Sequence, residues 1–258
     1  MAAETEAGTT EDAVLGGRLK IRQPKRGHRV GHDAILLAAA TEAQPGEHAV
    51  ELGAGVGAAG LALAHRVARL NVTLIEVDAA LAALATENAE RNGLAERVRV
   101  AVLDVAVPER EFSKAGLVAG TAARVLMNPP FNDPARLNVS PDPQRRLAHA
   151  GSVDALRQWM HRSASLLVPS GTLTLIWRAD GLADLLAAAS LAFGGIAVLP
   201  IYPRPNAGAI RILVRAVKGS RAAFALMPGL TLNDASGRPT AEAEAILRGG
   251  AALPWPGV

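Results

Sequence analysis

The sequence predicts a doubly wound α/β fold: a mostly parallel sheet of seven strands with an antiparallel last strand, and helices on both faces. Three observations carry this. Short β-branched runs alternate with Ala- and Leu-rich helical stretches, the pattern that builds crossover units. The strand candidates are almost continuously apolar, as strands covered on both faces must be. Pro203 to Gly208 reads as a hairpin-like connection between the last two strands, which turns the final strand antiparallel.

The elements follow in order. Met1 to Gly17 carries four acids and no base, lacks the basic start and apolar run of a signal peptide, and is expected as a flexible tail of a cytoplasmic protein. Residues 18–258 are expected as one domain with a basic extension over residues 18–32. At 258 residues, 50% hydrophobic and 20% charged, the chain can bury one sizeable core. Strands are expected at His48 to Leu52, Val72 to Val77, Val98 to Val102, Arg124 to Met127, Thr172 to Trp177, Ile196 to Ile201 and Ile210 to Val217. Helices are expected at Asp33 to Thr41, Ala58 to Arg69, Ala79 to Asn92, Val153 to Leu167, Leu182 to Leu191 and Thr240 to Leu247. Asp78 is placed to cap the third of these, and Asn92-Gly93 to close it. Leu185 to Pro203 is free of charge, but its Gly194-Gly195 break and Pro200 favour a helix then a strand over a membrane span. Trp159 and Trp177 sit among apolar neighbours and are expected in the core.

Composition removes some chemistries. There is no cysteine, hence no disulfide framework or thiolate zinc site. Only His28 and His32 show ligand-like spacing, in a basic Gly-containing stretch, so no metal is expected. The formal net charge is +3, yet it is unevenly spread. Arg18, Lys20, Arg22, Lys25, Arg26 and Arg29 come before any acid in their stretch, and the C-terminal quarter is again basic. Basic ends around a net acidic middle suit a protein that grips a polyanion.

The chemistry gathers on four segments. Glu51-Leu52-Gly53-Ala54-Gly55-Val56-Gly57 leads from a strand through a glycine turn into a helix, letting a ligand approach the backbone at a helix N-terminus. Glu76 ends the next strand, near the spacing of about 20 residues at which an acid takes ribose hydroxyls. Asp104 and Asn128 follow, each one strand and one crossover further on, so all four segments should meet at the carboxyl edge of one sheet. Asn128-Pro129-Pro130-Phe131 supplies a side-chain carbonyl, a proline carbonyl, a fixed turn and a flat apolar ring. Alone it reads equally as a clamp for a planar amine or as a proline turn under a core Phe. With Gly53, Glu76 and Asp104 alongside, the clamp is the stronger reading.

At these residues the chain resembles the class I S-adenosylmethionine-dependent methyltransferases, Rossmann-like enzymes whose NPPF/NPPY motif methylates amines. By that resemblance S-adenosyl-L-methionine is the cofactor. Glu51 begins the cofactor-binding glycine loop, Gly53, Gly55 and Gly57 surround the methionine part, Glu76 takes the ribose, Asp104 binds the adenine amine, and Val105 lies beside the ring. Val56 replaces the small polar residue usual before the last glycine. Gln23-Pro24-Lys25-Arg26-Gly27-His28-Arg29 through Asp33-Ala34-Ile35-Leu36-Leu37 is similar to a segment of bacterial enzymes that methylate N6 of the adenine 3′ of the anticodon in tRNA-Val. His28 stands where those enzymes have Tyr. Tyr202 to Pro205, Arg211 to Gly219 and Leu232 to Gly249 are similar to their closing hairpin and tail.

What this implies is transfer of a methyl group to adenine N6, with Asn128 and Pro129 accepting the amine hydrogens and Phe131 stacking on the base. Pro130 would face the substrate. Lys25, Arg26, Arg29 and Arg204 would hold backbone phosphates, and Arg145 lies in a loop expected over Asn132 to Gly151 on the substrate side. A tRNA is the expected partner, with no membrane; oligomeric state is left open, a monomer being the default. The rivals are an rRNA guanine-N2 methyltransferase, a protein glutamine-N5 methyltransferase, and a non-catalytic RNA-binding module.

Overall fold

The structure, a computed structural model, describes residues 8–26, 29–130 and 144–255, with only the backbone of residues 144–153. Along the chain run strands β1 (Thr9–Val14) and β2 (Leu19–Pro24), helix α1 (His32–Ala40), β3 (His48–Leu52), α2 (Ala58–Arg66), β4 (Asn71–Glu76), α3 (Ala79–Arg91), β5 (Val98–Val102), α4 (Glu109–Lys114) and β6 (Ala122–Met127). There follow α5 (Gln144–Leu166), β7 (Leu167–Arg178), α6 (Leu182–Ala189), β8 (Phe193–Tyr202), β9 (Arg211–Lys218), β10 (Ala225–Leu226), β11 (Leu230–Thr231) and α7 (Ala241–Leu247).

The expected seven strands are β3 to β9, in the order β8-β9-β7-β6-β3-β4-β5. Strand β9 is antiparallel to both neighbours, and the pairs from β7 through β6, β3 and β4 to β5 are parallel. Among the described residues the sheet has nine strands rather than seven, because β10 and β11 each pair with β8. Two-residue strands are too short to leave an apolar period. Alternate residues serve two cores. Ala49, Leu126 and Leu213 pack with α1, α2 and α3 on one face. Val50, Val125, Met127 and Val214 pack with Phe112 of α4, Leu156 of α5 and Leu185 of α6 on the other.

Helix ends are closed as the chain composition demands. Asp78 accepts from Ala80 and Leu81 N–H at the start of α3, and Gly93, at φ +67°, lets Leu94 N–H reach Ala89 C=O beyond its end. The buried end of α1 draws on distant partners: Arg66 donates to the carbonyls of Ala38 and Thr41, Leu253 N–H to Ala39, and Trp255 Nε1 to Ala40. Orphan carbonyls at a buried helix end require such donors.

Two expectations change. The segment expected as a tail contains β1, which pairs antiparallel with β2 from Thr9 opposite Pro24 to Val14 opposite Leu19. Helix α5 starts at Gln144 rather than Val153. Gly151, expected at the end of a loop, is carried inside the helix, a burden of about 1 kcal/mol.

The outer edge of β2 is held by side chains. Asn88 accepts from Arg22 N–H at 2.7 Å and donates to Arg22 C=O at 2.9 Å; Asn92 does the same for Lys20 at 3.0 and 2.8 Å. Four helical residues rise about 6 Å, and two strand residues about 6.6–6.8 Å, so asparagines at i and i+4 match alternate strand residues. Asn88 also donates to Val56 C=O at 3.0 Å, joining the N-terminal hairpin to the glycine turn. Replacing buried Asn88 with Ala should cost about 2–3 kcal/mol in urea unfolding, and Asn92→Ala about 1 kcal/mol. Equal small losses would show that the ladder carries no weight.

Candidate active site

The parallel register aligns the ends of three strands. Met127, Leu52, Ile75 and Ala101 form one row across β6, β3, β4 and β5. One residue further on come Asn128, Gly53 and Glu76, and Asp104 lies two residues beyond Val102, the partner of Glu76. The predicted alignment along one carboxyl edge is therefore met. These residues line a cavity of about 1300 Å³, together with Glu51, Ala54, Gly55, Val105, Pro129 and Pro130.

The glycines of the turn differ in what they permit. Gly53, Gly55 and Gly57 have φ of +67°, +56° and +86°, a left-handed region that penalises other residues. A Cβ on Gly53 would collide with the Trp159 ring, and one on Gly57 would lie 2.8 Å from Leu74 Cδ1. A Cβ on Gly55 would meet nothing within 4 Å. Gly55 is thus the open cradle of the turn, whereas Gly53 makes room for a tryptophan and Gly57 starts α2 from behind the cavity wall.

Both acids of the turn are tied to backbone amides. Glu51 accepts from Gly60 N–H at 2.7 Å, reaching from β3 to cap α2, whose N-cap Gly57 has no side chain. Glu76 accepts from Gly55 N–H at 2.7 Å and from Asp78 N–H at 2.9 Å, so one carboxylate braces the turn and keeps further acceptor capacity. Asp104 accepts from Ala106 N–H at 2.8 Å and is exposed, with Val105 buried beside it. Burial pushes the Glu51 carboxyl up to about 8; the Gly60 N–H opposes this and the charge of Glu76 adds to it.

Asn128 departs from the general satisfaction of buried groups. Its Oδ1 is buried and has no hydrogen-bond partner, at the cavity wall beside Pro129. A buried acceptor left unpaired costs about 1–3 kcal/mol. It is the feature expected of a site whose partner arrives with a ligand.

Other predicted residues are spread more widely. Arg29 lines the cavity and is paired with Asp12. Lys25 and Arg26 are exposed after β2, and Arg204 is exposed in the β8–β9 connection, none of the three on the cavity wall. Phe131 lies outside the described residues, as do the side chain of Arg145 and residues 27 and 28. Trp177 is buried in the core as expected, but Trp159 is half-buried and forms part of the cavity wall against Gly53. Val77, Arg178 and Arg211 also line the cavity and escaped the sequence analysis. Val77, 62% exposed directly after Glu76, was legible as an apolar residue at a strand tip. The arginines read as ordinary strand ends.

The methyltransferase small domain family matches residues 28–187, and the chain belongs to it. It uses S-adenosyl-L-methionine as cofactor, and the open Gly55 cradle beside an acidic wall fits that group. A Porphyromonas gingivalis protein named tRNA1(Val) (adenine(37)-N6)-methyltransferase is 31% identical over 173 residues, covering 65% of this chain and 66% of that one. The chain thus spans just under two thirds of that relative's length. A release factor glutamine methyltransferase of Moorella thermoacetica is 36% identical over 131 residues, 48% of this chain and 44% of the other. The crystal structure of a predicted O-methyltransferase from Agrobacterium tumefaciens is similar at a TM-score of 0.74 and 30% identity, covering 88% of this chain and all of that one.

The raised Glu51 carboxyl sets a pH dependence. Between its ordinary 4.5 and about 8 the folded state binds the extra proton, so stability falls as pH rises through that window. Across it the loss should be on the order of a few kcal/mol. Glu51→Gln keeps an acceptor for Gly60 and should flatten this dependence, exceeding wild-type stability near pH 8 and matching it near pH 4. Parallel curves for the two proteins in chemical denaturation would contradict the buried proton.

Proposed function

We propose that this methyltransferase transfers a methyl group from S-adenosyl-L-methionine to N6 of an adenine in tRNA, adenine 37 of tRNA(Val). The observation that carries the amine is the buried, unpartnered Oδ1 of Asn128 at the cavity wall. The names of relatives at about 30% identity support the tRNA. So does the basic stretch before Asp33.

Residue roles follow from position. Gly53, Gly55 and Gly57 shape the turn that would hold the cofactor's methionine end, with Glu51 fixing the helix start beside it. Glu76 would accept ribose hydroxyls through its remaining lone pairs, and Asp104 with Val105 would bound the adenine. When bound, the cofactor supplies an electrophilic methyl on a cationic sulfonium. Adenine N6 is a poor nucleophile because its lone pair is delocalised into the ring. Asn128 Oδ1 and the Pro129 carbonyl accept hydrogen bonds from its two N–H groups, favouring a pyramidal nitrogen and stabilising the positive charge that develops there. As the new N–C bond forms the sulfur–methyl bond breaks, and the nitrogen then releases one proton to solvent. Both acceptors are fixed before substrate arrives, the usual form of electrostatic catalysis. Pro130 faces the substrate and Phe131 stacks on the base, a contact worth about 1–3 kcal/mol in nucleic-acid proteins. Lys25, Arg26, Arg29, Arg204 and Arg145 hold phosphates, which position the substrate without reading its sequence. An anticodon-loop base is partly unpaired, so bringing it into the cavity costs less than extraction from a duplex.

Labelled methyl should appear in tRNA when the protein is given total tRNA, rRNA and release factor in parallel. Label in rRNA or release factor alone would contradict the assignment, and cofactor binding without label anywhere would favour an RNA-binding module. Asn128→Ala should lower transfer by about 10²–10³-fold while calorimetric affinity for S-adenosylhomocysteine changes little; equal loss of both would make Asn128 structural. Replacing Lys25, Arg26 and Arg29 with Ala should lower the salt slope of RNA binding by about two units. An unchanged slope would remove their phosphate role.

A further inference from the structure

The turn that carries Asp104 is held by a residue outside the cavity wall. Within the turn Asp104 accepts from Ala106 N–H at 2.8 Å, and Val107 N–H reaches Asp104 C=O at 3.3 Å, closing a four-residue β-turn. Asp104 is exposed at the cavity and Val105 is buried. Two carbonyls of this segment go to Arg162 of α5. Its Nε donates to Val105 C=O at 3.2 Å and its Nη2 to Val107 C=O, and its guanidinium carbon lies 3.9 Å from the centroid of the Phe112 ring of α4. Arg162 is only 7% exposed and does not line the cavity. Among the described residues no ion pair offsets this burial; Glu109 gives only a longer-range attraction. Burying a charge is costly unless its partners are well placed. Two carbonyls two residues apart and an aromatic face suit a planar guanidinium fork, and a single ammonium cannot serve all three. One helical turn earlier on α5, Trp159 abuts Gly53.

We propose that Arg162 is a positioning residue for the base end of the cofactor site: by holding the carbonyls of Val105 and Val107 it fixes the Asp104 carboxylate where it selects a 6-aminopurine. This rests on the adenine role proposed above for Asp104 and Val105. Arg162 touches neither cofactor nor substrate and acts only through the turn. With Trp159 against Gly53 and Arg162 on the Asp104 turn, one helix sets the spacing between the glycine turn at the methionine end and the acid at the base end.

The test is calorimetric binding of S-adenosylhomocysteine against S-inosylhomocysteine, in which a carbonyl oxygen replaces the N6 amine and meets the carboxylate as an acceptor instead of a donor. The wild-type protein should prefer the amine form by about tenfold or more, and Asp104→Ala should lose that preference. Arg162→Met, which keeps the length of the side chain without its donors, should cut the preference to about two- to threefold, through weaker S-adenosylhomocysteine binding with S-inosylhomocysteine little changed. Arg162→Lys, which keeps the charge but not the fork, should fall between Met and wild type, and it decides by the same ratio if the Met variant does not fold. A wild-type ratio in the Arg162 variants, or equal weakening of both ligands, overturns the positioning role alone, because an arginine that merely supports the fold does not discriminate between the two bases. A wild-type protein without preference, or Asp104→Ala that keeps it, overturns the adenine role of Asp104 and the role of Arg162 with it.

Discussion

Everything at this site depends on one constraint, the parallel register that ends β6, β3 and β4 within one residue of a common row. In a parallel sheet the ladder fixes where each strand stops relative to its neighbours, and the crossovers place the following turns on one edge. Asn128, Gly53 and Glu76 therefore become neighbours although their segments are far apart in sequence. A slip of one residue would turn their side chains to the opposite face. Acidic side chains secure the edge. Glu51 ties β3 to the start of α2, and Glu76 ties β4 to the glycine turn.

Around this edge most buried polar groups are matched. The end of α1 recruits donors from α2 and the C-terminal segment, and β2 finds an asparagine ladder on α3. Against that background two groups at the cavity are left in unfavourable states. Asn128 keeps a buried acceptor without a donor, and Glu51 keeps a proton it would lose in water. Such groups are tolerated where a ligand is to interact with them. The same turn shows that glycine does separate jobs: one makes room for Trp159, one leaves the cradle open, one begins a helix.

Much of this was legible in the sequence because it rests on local signals. Strands β3 to β9 are long apolar runs, and the Asn92-Gly93 cap and the capping Asp78 lie beside the helix they bound. The row of Gly53, Glu76 and Asn128 could be anticipated because crossover lengths are nearly constant. The rest depends on tertiary partners. In Leu19-Lys20-Ile21-Arg22-Gln23 the alternation of a strand is present, yet the cluster of basic residues drew attention to charge, and its partner strand is too polar to stand out. The ladder needs two asparagines one helical turn apart to face it, which no local pattern discloses. Trp159 looked like a core residue because its neighbours are apolar; only the contact with Gly53 brings it to the cavity. Arg178 and Arg211 become a pair solely through the register of β7 on β9.

The central claim is that the unpaired acceptor of Asn128 is completed by the amine to be methylated. A double-mutant cycle measures it directly, combining Asn128→Ala with an anticodon stem-loop in which purine replaces the target adenine, with affinities taken in the presence of S-adenosylhomocysteine. The account predicts that removing the amine weakens wild-type binding but scarcely affects the Ala variant, a coupling of about 1–3 kcal/mol. Equal losses in both proteins, and hence no coupling, would contradict it.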